Sequence, residues 1–369
     1  MIRWRIIAGA LLLGAFLSLA NGVNGESTNA VPANVVFVPL PTACSVAKHP
    51  VLPVLYVGLD TGGSTNLVTY RLNADGSLIA DSKRLRDDYF SPDGKTPSFS
   101  HSLKRVAVDA DKRILYLAAY PTTANSVTTY TNTNNQEFAA VALDDAGQPA
   151  QQLQRFRTDI TGQQGLVNIR FDPNFARLWI AYYSTFCWID LGADGLPDSP
   201  KTQYIHQFWF WQYVPEWRRF FFTRPDSGLC ILKLPADGAT PEFWQAAFAV
   251  TGSSWAGDIN VSAHHRKAYV STSIADKELS IYQLDEEGRL IGVPRTFALG
   301  STTFMRCDFK AMKVYALGRD GLRTLRLGDD GWPVGAPQFF PCDWGYLYDA
   351  FLDEATGKLY VACTKPLTQ

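Results

Sequence analysis

The sequence predicts an all-β chain folded as a seven-bladed propeller, and two recurring phrases with a common period carry that prediction. The first phrase is an apolar–aromatic–apolar triplet set just after a turn. Its copies are Leu55-Tyr56-Val57, Leu115-Tyr116-Leu117, Leu178-Trp179-Ile180, Phe220-Phe221-Phe222, Ala268-Tyr269-Val270, Val314-Tyr315-Ala316 and Leu359-Tyr360-Val361. The second phrase follows six of the seven and is a strand running into a glycine turn: Tyr70-Arg71-Leu72 to Gly76, Val141-Ala142-Leu143 to Gly147, Ile189-Asp190-Leu191 to Gly195, Leu232-Lys233-Leu234 to Gly238, Tyr282-Gln283-Leu284 to Gly288, and Leu325-Arg326-Leu327 to Gly331. Short strands recurring about every 40–50 residues are the mark of a propeller, in which each repeat is one small sheet.

The chain opens with Arg3 and Arg5, an apolar run over residues 6–19 and small or polar residues over 20–25. That is the layout of a secretory signal peptide, and the run is short for a membrane span; a retained N-terminal anchor is the alternative. Residues 1–25 are therefore expected to be removed, leaving 26–369 as one propeller domain in the periplasm or outside the cell. No later stretch is apolar for about 18 residues, so no further span is expected. Such a length exceeds an ordinary single core, which a propeller resolves by repetition.

Each repeat reads as four strands, numbered here from the axis outward. The first strands are short alternating runs such as Arg105-Val106-Ala107-Val108-Asp109, Asn168-Ile169-Arg170-Phe171-Asp172, Asp258-Ile259-Asn260-Val261 and Arg306-Cys307-Asp308-Phe309. The aromatic triplet is the second strand, the run into the glycine turn is the third, and residues 154–157, 203–207, 243–249, 295–299 and 338–340 supply outermost strands. Period-two alternation supports strands throughout, and the glycines suit hairpin turns that need positive φ. The second-strand aromatics are expected to fill the wedge between adjacent blades. The seventh repeat stops after two strands. Residues 35–40 either complete it, closing the ring with both chain ends, or begin blade one; closure removes a free edge and is the favoured reading.

Two segments depart from the repeat. Residues 125–136, rich in Thr and Asn, read as an inserted hairpin or loop. Residues 208–217, which include Trp209, Trp211 and Trp217, stand where the first strand of blade four belongs. They are either an inner strand with oversized core residues or an apolar docking face, since Trp and Tyr dominate binding hot spots.

Composition excludes several function classes. The net charge is −1 with both signs interspersed, so no basic face for nucleic acid is expected. Six cysteines (Cys44, Cys187, Cys230, Cys307, Cys342, Cys363) allow fifteen full pairings. Cys187 and Cys230 lie on corresponding strands of blades that fan apart, too far for a bridge. Cys307 and Cys342 flank the sixth repeat and are the better-placed couple, with buried thiols as the alternative for the rest. No Cys-x-x-Cys, haem-attachment, phosphate-loop, His-Glu-x-x-His, dinucleotide or Gly-x-Ser-x-Gly motif occurs, so neither cofactor nor metal is expected. His264-His265 sits in a turn and makes a poor joint metal site. Asn260-Val261-Ser262 matches a glycosylation sequon but falls in an inner strand, where it reads as a chance match.

The alternation of Leu-Tyr-Val strands with Tyr-Arg-Leu-x-x-Asp-Gly-x-Leu resembles the lactonase-like seven-bladed propellers. That group includes the propeller 6-phosphogluconolactonases and the surface propellers named for Tyr-Val-Thr-Asn repeats. The resemblance covers residues 53–363 and is best over Leu55-Tyr56-Val57-Gly58 through Val68-Thr69-Tyr70-Arg71-Leu72-Asn73-Ala74-Asp75-Gly76-Ser77-Leu78. It implies the fold, because these are blade motifs. Enzymes of the group carry Gly-Pro-His segments just before inner strands; here only His101, in Phe99-Ser100-His101-Ser102-Leu103, holds such a position.

Propeller ligand sites form where loops and inner strands converge on the channel. His101, Arg105, Arg170, Glu216, Asp258, Arg306, Asp308 and Asp349 are the candidates for that ring. A lactone hydrolase would use His101 or Glu216 as acid and base, and Arg170 or Arg306 as the cation facing the developing oxyanion. The alternative is that inner-strand charges line a wet channel and pair with one another. With standard motifs absent and the axial histidines reduced to one, the expected role is a non-catalytic binding or scaffolding module, taking a small molecule at the channel mouth or a protein partner in an extracytoplasmic complex. A lactonase-type hydrolase acting on a sugar lactone or small ester is the second reading. A propeller subunit of a periplasmic redox complex is the third.

Overall fold

A computed structural model describes residues 31–40, 43–59, 67–79, 82, 84–86, 101–121, 137–157, 166–182, 185–197, 205–206, 210–224, 228–247, 256–272, 275–300, 302–345 and 347–364. The expected signal segment, the insertion at 125–136, Trp209 and the side chains of His101 and Cys44 lie outside them. Seven small sheets form a seven-bladed propeller, six with four strands and one with three. The innermost strands are Ala43–Lys48, His101–Asp109, Leu166–Asp172, Trp211–Val214, Ala256–Ser262, Phe304–Asp308 and Leu347–Asp353. Among the described residues no helix is long and apolar enough to cross a membrane.

The interior is divided among seven apolar clusters, one in each wedge between neighbouring blades. The seven central aromatics, Tyr56 to Tyr360, are all buried in these wedges, each facing the next blade. Four of them also latch that blade by hydrogen bonding. Tyr56, Tyr116, Tyr269 and Tyr360 donate their hydroxyls to the carbonyls of Gly147, Gly195, Gly331 and Gly76, at 2.6, 2.8, 2.7 and 2.8 Å. These glycines end the second sequence phrase and have φ between 74° and 82°. A Cβ at Gly331 would lie 2.8 Å from the Tyr269 hydroxyl, so the turn needs glycine for its φ and for the latch.

The other three wedges vary the tyrosine latch. Trp179 Nε1 donates to Asp172 Oδ2 at 3.1 Å, and Arg177 donates to the Gly238 carbonyl at 2.6 Å. Phe221 has no hydroxyl, and the Trp217 ring packs directly on Gly288. In the sixth wedge Asn34 donates to the Tyr315 hydroxyl at 2.6 Å and to the Gly357 carbonyl at 2.8 Å.

A second repeated device fixes each blade internally. The tight turn after the first strand ends in a residue at positive φ: Arg113, Ala176, Arg218, Arg266 and Met312. Its carbonyl accepts the amide of the leucine closing the third strand, as in Leu143 to Arg113 at 2.7 Å and Leu327 to Met312 at 2.8 Å. An aspartate at the end of the inner strand caps that turn. Asp308 Oδ1 accepts the amides of Lys310 and Ala311, and Asp109 Oδ1 those of Asp111 and Lys112.

Ring closure follows the favoured reading. Val35–Pro39 pairs in parallel with Lys358–Cys363, from Val35 opposite Leu359 to Pro39 opposite Cys363, as the third strand of blade seven. Blade one begins instead with Ala43–Lys48, a strand whose few apolar residues do not mark it in the sequence. His49 ends it as a buried cap whose Nδ1 accepts the amides of Val51 and Leu52.

Two expectations need correction. Cys307 and Cys342 are separate thiols. Cys307 is on the innermost strand of blade six and Cys342 follows the outermost, about 14 Å away at ordinary strand spacing, beyond a bridge. Among its described residues, 210–217, the aromatic stretch is an inner strand, Trp211–Val214, and its following turn rather than a docking face: Trp211 is 4% exposed, and Trp217 packs in the wedge between blades four and five.

Removing residues 26–40 tests the closure. Val38 and Leu40 are buried and Val35 nearly so, and about 1.5–3 kcal/mol per large apolar side chain makes the loss comparable with the stability of an ordinary domain. The shortened chain is expected to aggregate or to melt far below one beginning at Glu26. Equal melting temperatures would show that the ring closes without this strand.

Candidate functional site

Strand register builds the central channel in two tiers. The residue paired with each central aromatic lies nine positions before it: Ala47, Ala107, Arg170, Gln212, Asn260, Arg306 and Phe351. These form the lower tier. Two residues earlier, about 6.6 Å along the strand, stand Ser45, Arg105, Asn168, Phe210, Asp258, Phe304 and Asp349, the upper tier. All fourteen line one cavity of about 310 Å³. His101 opens the inner strand of blade two at the end nearer the upper tier.

Polar side chains in these tiers clasp each inner strand to the next. Gln212 accepts the Val261 amide at 2.7 Å and donates to the Val261 carbonyl at 3.3 Å. Asn260 does the same one blade on, accepting from the Cys307 amide at 3.1 Å and donating to the Met305 carbonyl at 3.0 Å. This interior role agrees with a chance sequon at Asn260. Asp349 reaches from blade seven to the Val46 amide of blade one at 3.0 Å.

The channel charges are distributed unequally. Arg306 is paired with Asp258, lies 3.8 Å from Asp349, and donates to the carbonyls of Ala350 and Met305 at 2.8 Å each. Burial pulls its guanidinium below the ordinary arginine value; Asp349 opposes this, and Arg170 and Arg105 add to it. Arg306 is thus a neutralised pivot joining blades five, six and seven. Blades two and three face it with Arg105 and Arg170. No hydrogen bond or ion pair holds the Arg170 guanidinium among the described residues; it is exposed to the channel, with its Cζ 5.5 Å from the Trp211 ring centroid. Enclosure by protein lowers its pKa, and the charge of Glu354 works against that shift. Two further donors at the wall, Ser45 Oγ and Trp211 Nε1, have no partner among the described residues.

Of the candidates named from the sequence that lie among described side chains, the structure therefore gathers Arg105, Arg170, Asp258, Arg306, Asp349 and Trp211 along the channel. It separates Glu216 and Asp308. Glu216 is exposed on the turn beyond the inner strand of blade four, at the end opposite the upper tier. Asp308 is buried as a turn cap. His264 and His265 occupy the same kind of turn, with His265 Nδ1 2.9 Å from Ser262 Oγ. Among the described residues no group of three or more His, Cys, Asp or Glu is placed to hold a metal. The channel also holds Ser45, Gln212, Asn260 and Glu354, none of them among the channel candidates read from the sequence; the nine- and eleven-residue offsets from the aromatic triplets identify the first three.

The two channel arginines are expected to separate in stability measurements. Arg306→Gln leaves two carboxylates in the wall without their cation and should cost about 3 kcal/mol in urea denaturation. Arg170→Gln should cost about 1 kcal/mol or less, since its guanidinium faces the channel water. Equal losses would contradict this division of roles.

No family model and no curated protein matches the chain. Solved structures do. A Bacteroides uniformis protein described as a candidate 6-phosphogluconolactonase is 15% identical with a TM-score of 0.62, over 84% of this chain and 88% of that one. A periplasmic gluconolactonase of Pseudomonas aeruginosa is 14% identical with a TM-score of 0.60, over 81% and 85%. A functionally unknown protein from Desulfotomaculum acetoxidans is 13% identical with a TM-score of 0.55, over 89% and 92%. At such identities the likeness is one of fold. The first functional expectation, a non-catalytic binding or scaffolding module, is corrected by these comparisons: the neighbours above that are named by activity are a candidate 6-phosphogluconolactonase and a gluconolactonase. This chain is a seven-bladed propeller of the architecture those lactonases use.

Proposed function

We propose that the protein is an exported lactonase-type hydrolase that opens a small sugar-type lactone in its central channel. The observation that carries this reading is the cationic wall of blades two and three, where Arg170 reaches the channel and its guanidinium has no hydrogen-bond or ion-pair partner among the described residues. The names of the structural neighbours support it. Residues 1–25 would act as the export signal, in keeping with the periplasmic setting of one neighbour.

Hydrolysis of a lactone needs a polarised carbonyl, an activated water and a proton for the departing ring oxygen. Arg170 is the candidate for the first task, because guanidinium donors stabilise the negative charge that develops on the carbonyl oxygen. Arg306 is a poorer one, being held by two carboxylates and two carbonyls. His101 is the candidate base. Its imidazole would take a proton as the water oxygen bonds to the carbonyl carbon, then return it to the ring oxygen as the C–O bond breaks, leaving a hydroxy acid. Arg105 would orient the sugar hydroxyls.

A panel of lactones, including glucono-δ-lactone and its 6-phosphate, tests the proposal. The unaltered protein is expected to turn over at least one above background. His101→Ala should slow it by about 100-fold or more, and Arg170→Gln by about 100- to 1000-fold. No turnover on any lactone, or turnover indifferent to both substitutions, would overturn the assignment.

A further inference from the structure

A second group of arginines lies away from the channel, where the outermost strand of blade four, Glu242–Ala247, meets blade five. Arg219 and Arg289 both lie against the indole of Trp244, with guanidinium carbons 3.8 and 5.2 Å from its ring centroid. Arg218 adjoins them in the turn before the second strand of blade four. The spacing of the two blades is fixed by Gln245, which accepts the Leu290 amide at 2.9 Å and donates to the Leu290 carbonyl at 3.4 Å.

None of the three guanidiniums forms an ion pair among the described residues. Arg219 is 8% exposed, and one terminal nitrogen donates to the carbonyls of Trp217 and Arg218 at 2.9 and 3.4 Å. Its Nε is buried with no acceptor among the described residues. The nearby carboxylates do not supply one. Asp285 Oδ1 accepts the amides of Glu287 and Arg289 at 2.9 and 2.7 Å, and Glu287 is exposed. Burial, then Arg218 and Arg289, lower the pKa of Arg219, while Asp285 and Glu287 oppose them.

Stacking on one indole favours each cation separately but keeps like charges near one another, and Arg218 and Arg289 both act on Arg219. A bound oxyanion relieves that repulsion. Guanidinium forks match a phosphate group in shape and charge. We propose that Arg218, Arg219 and Arg289 form a binding site for a phosphate group at the seam of blades four and five, separate from the channel and independent of the lactonase reading.

Calorimetric titration of the full-length protein with inorganic phosphate tests this, against sodium chloride at equal ionic strength. Saturable binding is expected, weakened at least tenfold by Arg289→Gln, an exposed position whose loss leaves the fold intact, and unchanged by Arg170→Gln in the channel. A parallel titration with glycerol phosphate distinguishes sources: tighter binding than inorganic phosphate assigns the site to a phosphomonoester, and equal or weaker binding to the free ion. Absence of saturable binding, a response that follows ionic strength alone, or binding lost in Arg170→Gln but kept in Arg289→Gln would each overturn the proposal.

Discussion

The contact on which the rest of this molecule depends is the reach of a second-strand aromatic into the glycine turn of the next blade. It joins sequence-local features into a ring. The glycine must adopt positive φ to turn its carbonyl outward, and it must lack a Cβ so that the tyrosine hydroxyl can approach. The aromatic body fills the wedge that opens between radiating sheets, while its hydroxyl removes the cost of burying the turn carbonyl. Where the central residue is not tyrosine, Arg177 donates to the Gly238 carbonyl and the Trp217 ring packs on Gly288; in the sixth wedge Asn34 bridges Tyr315 and Gly357. The last of these ties the closing strand into the latch system, so closure and wedge packing are one constraint.

That constraint also places the channel. Once a central aromatic is fixed in its wedge, antiparallel register sets which inner-strand residue stands opposite, and the same offset recurs in all seven blades. Chemistry enters through substitution at equivalent positions. Gln212 and Asn260 use theirs to stitch strand to strand, and Arg306 uses its own to gather two carboxylates. Arg170 occupies the equivalent position in blade three, yet among the described residues it neither stitches nor pairs. A ring of equivalent sites thereby acquires a direction, structural on the side of blades five to seven and, in the function proposed above, facing the ligand on the side of blades two and three.

Much of the fold was legible because its determinants are local. The triplet Leu-Tyr-Val marks a buried second strand, and Asp-Gly marks the turn after the third strand, as at Gly76, Gly195, Gly238 and Gly331. Residues 35–40 were readable as a closing strand from their apolar content. The parallel pairing with the last strand, and the start of blade one at Ala43, depend on contacts between the chain ends. The site was legible only in part. Channel charges were identified because they sit on inner strands, but Asp308 and Glu216 do as well or lie just beyond. What separates them is height along the strand: Asp308 is the last strand residue and caps the turn, and Glu216 is past it. Cys307 and Cys342 were misjudged because proximity in sequence across one blade corresponds to three strand spacings in space.

The central claim is that the wall of blades two and three receives the ligand, while Arg306 holds the structure opposite. A crystal structure of the protein with bound D-gluconate, the ring-opened product of the simplest sugar lactone, addresses that most directly. The account predicts the gluconate carboxylate against Arg170, with Arg306 still joined to Asp258 and Asp349. A carboxylate bound by Arg306 after displacement of those aspartates, or gluconate found only outside the channel, would contradict it.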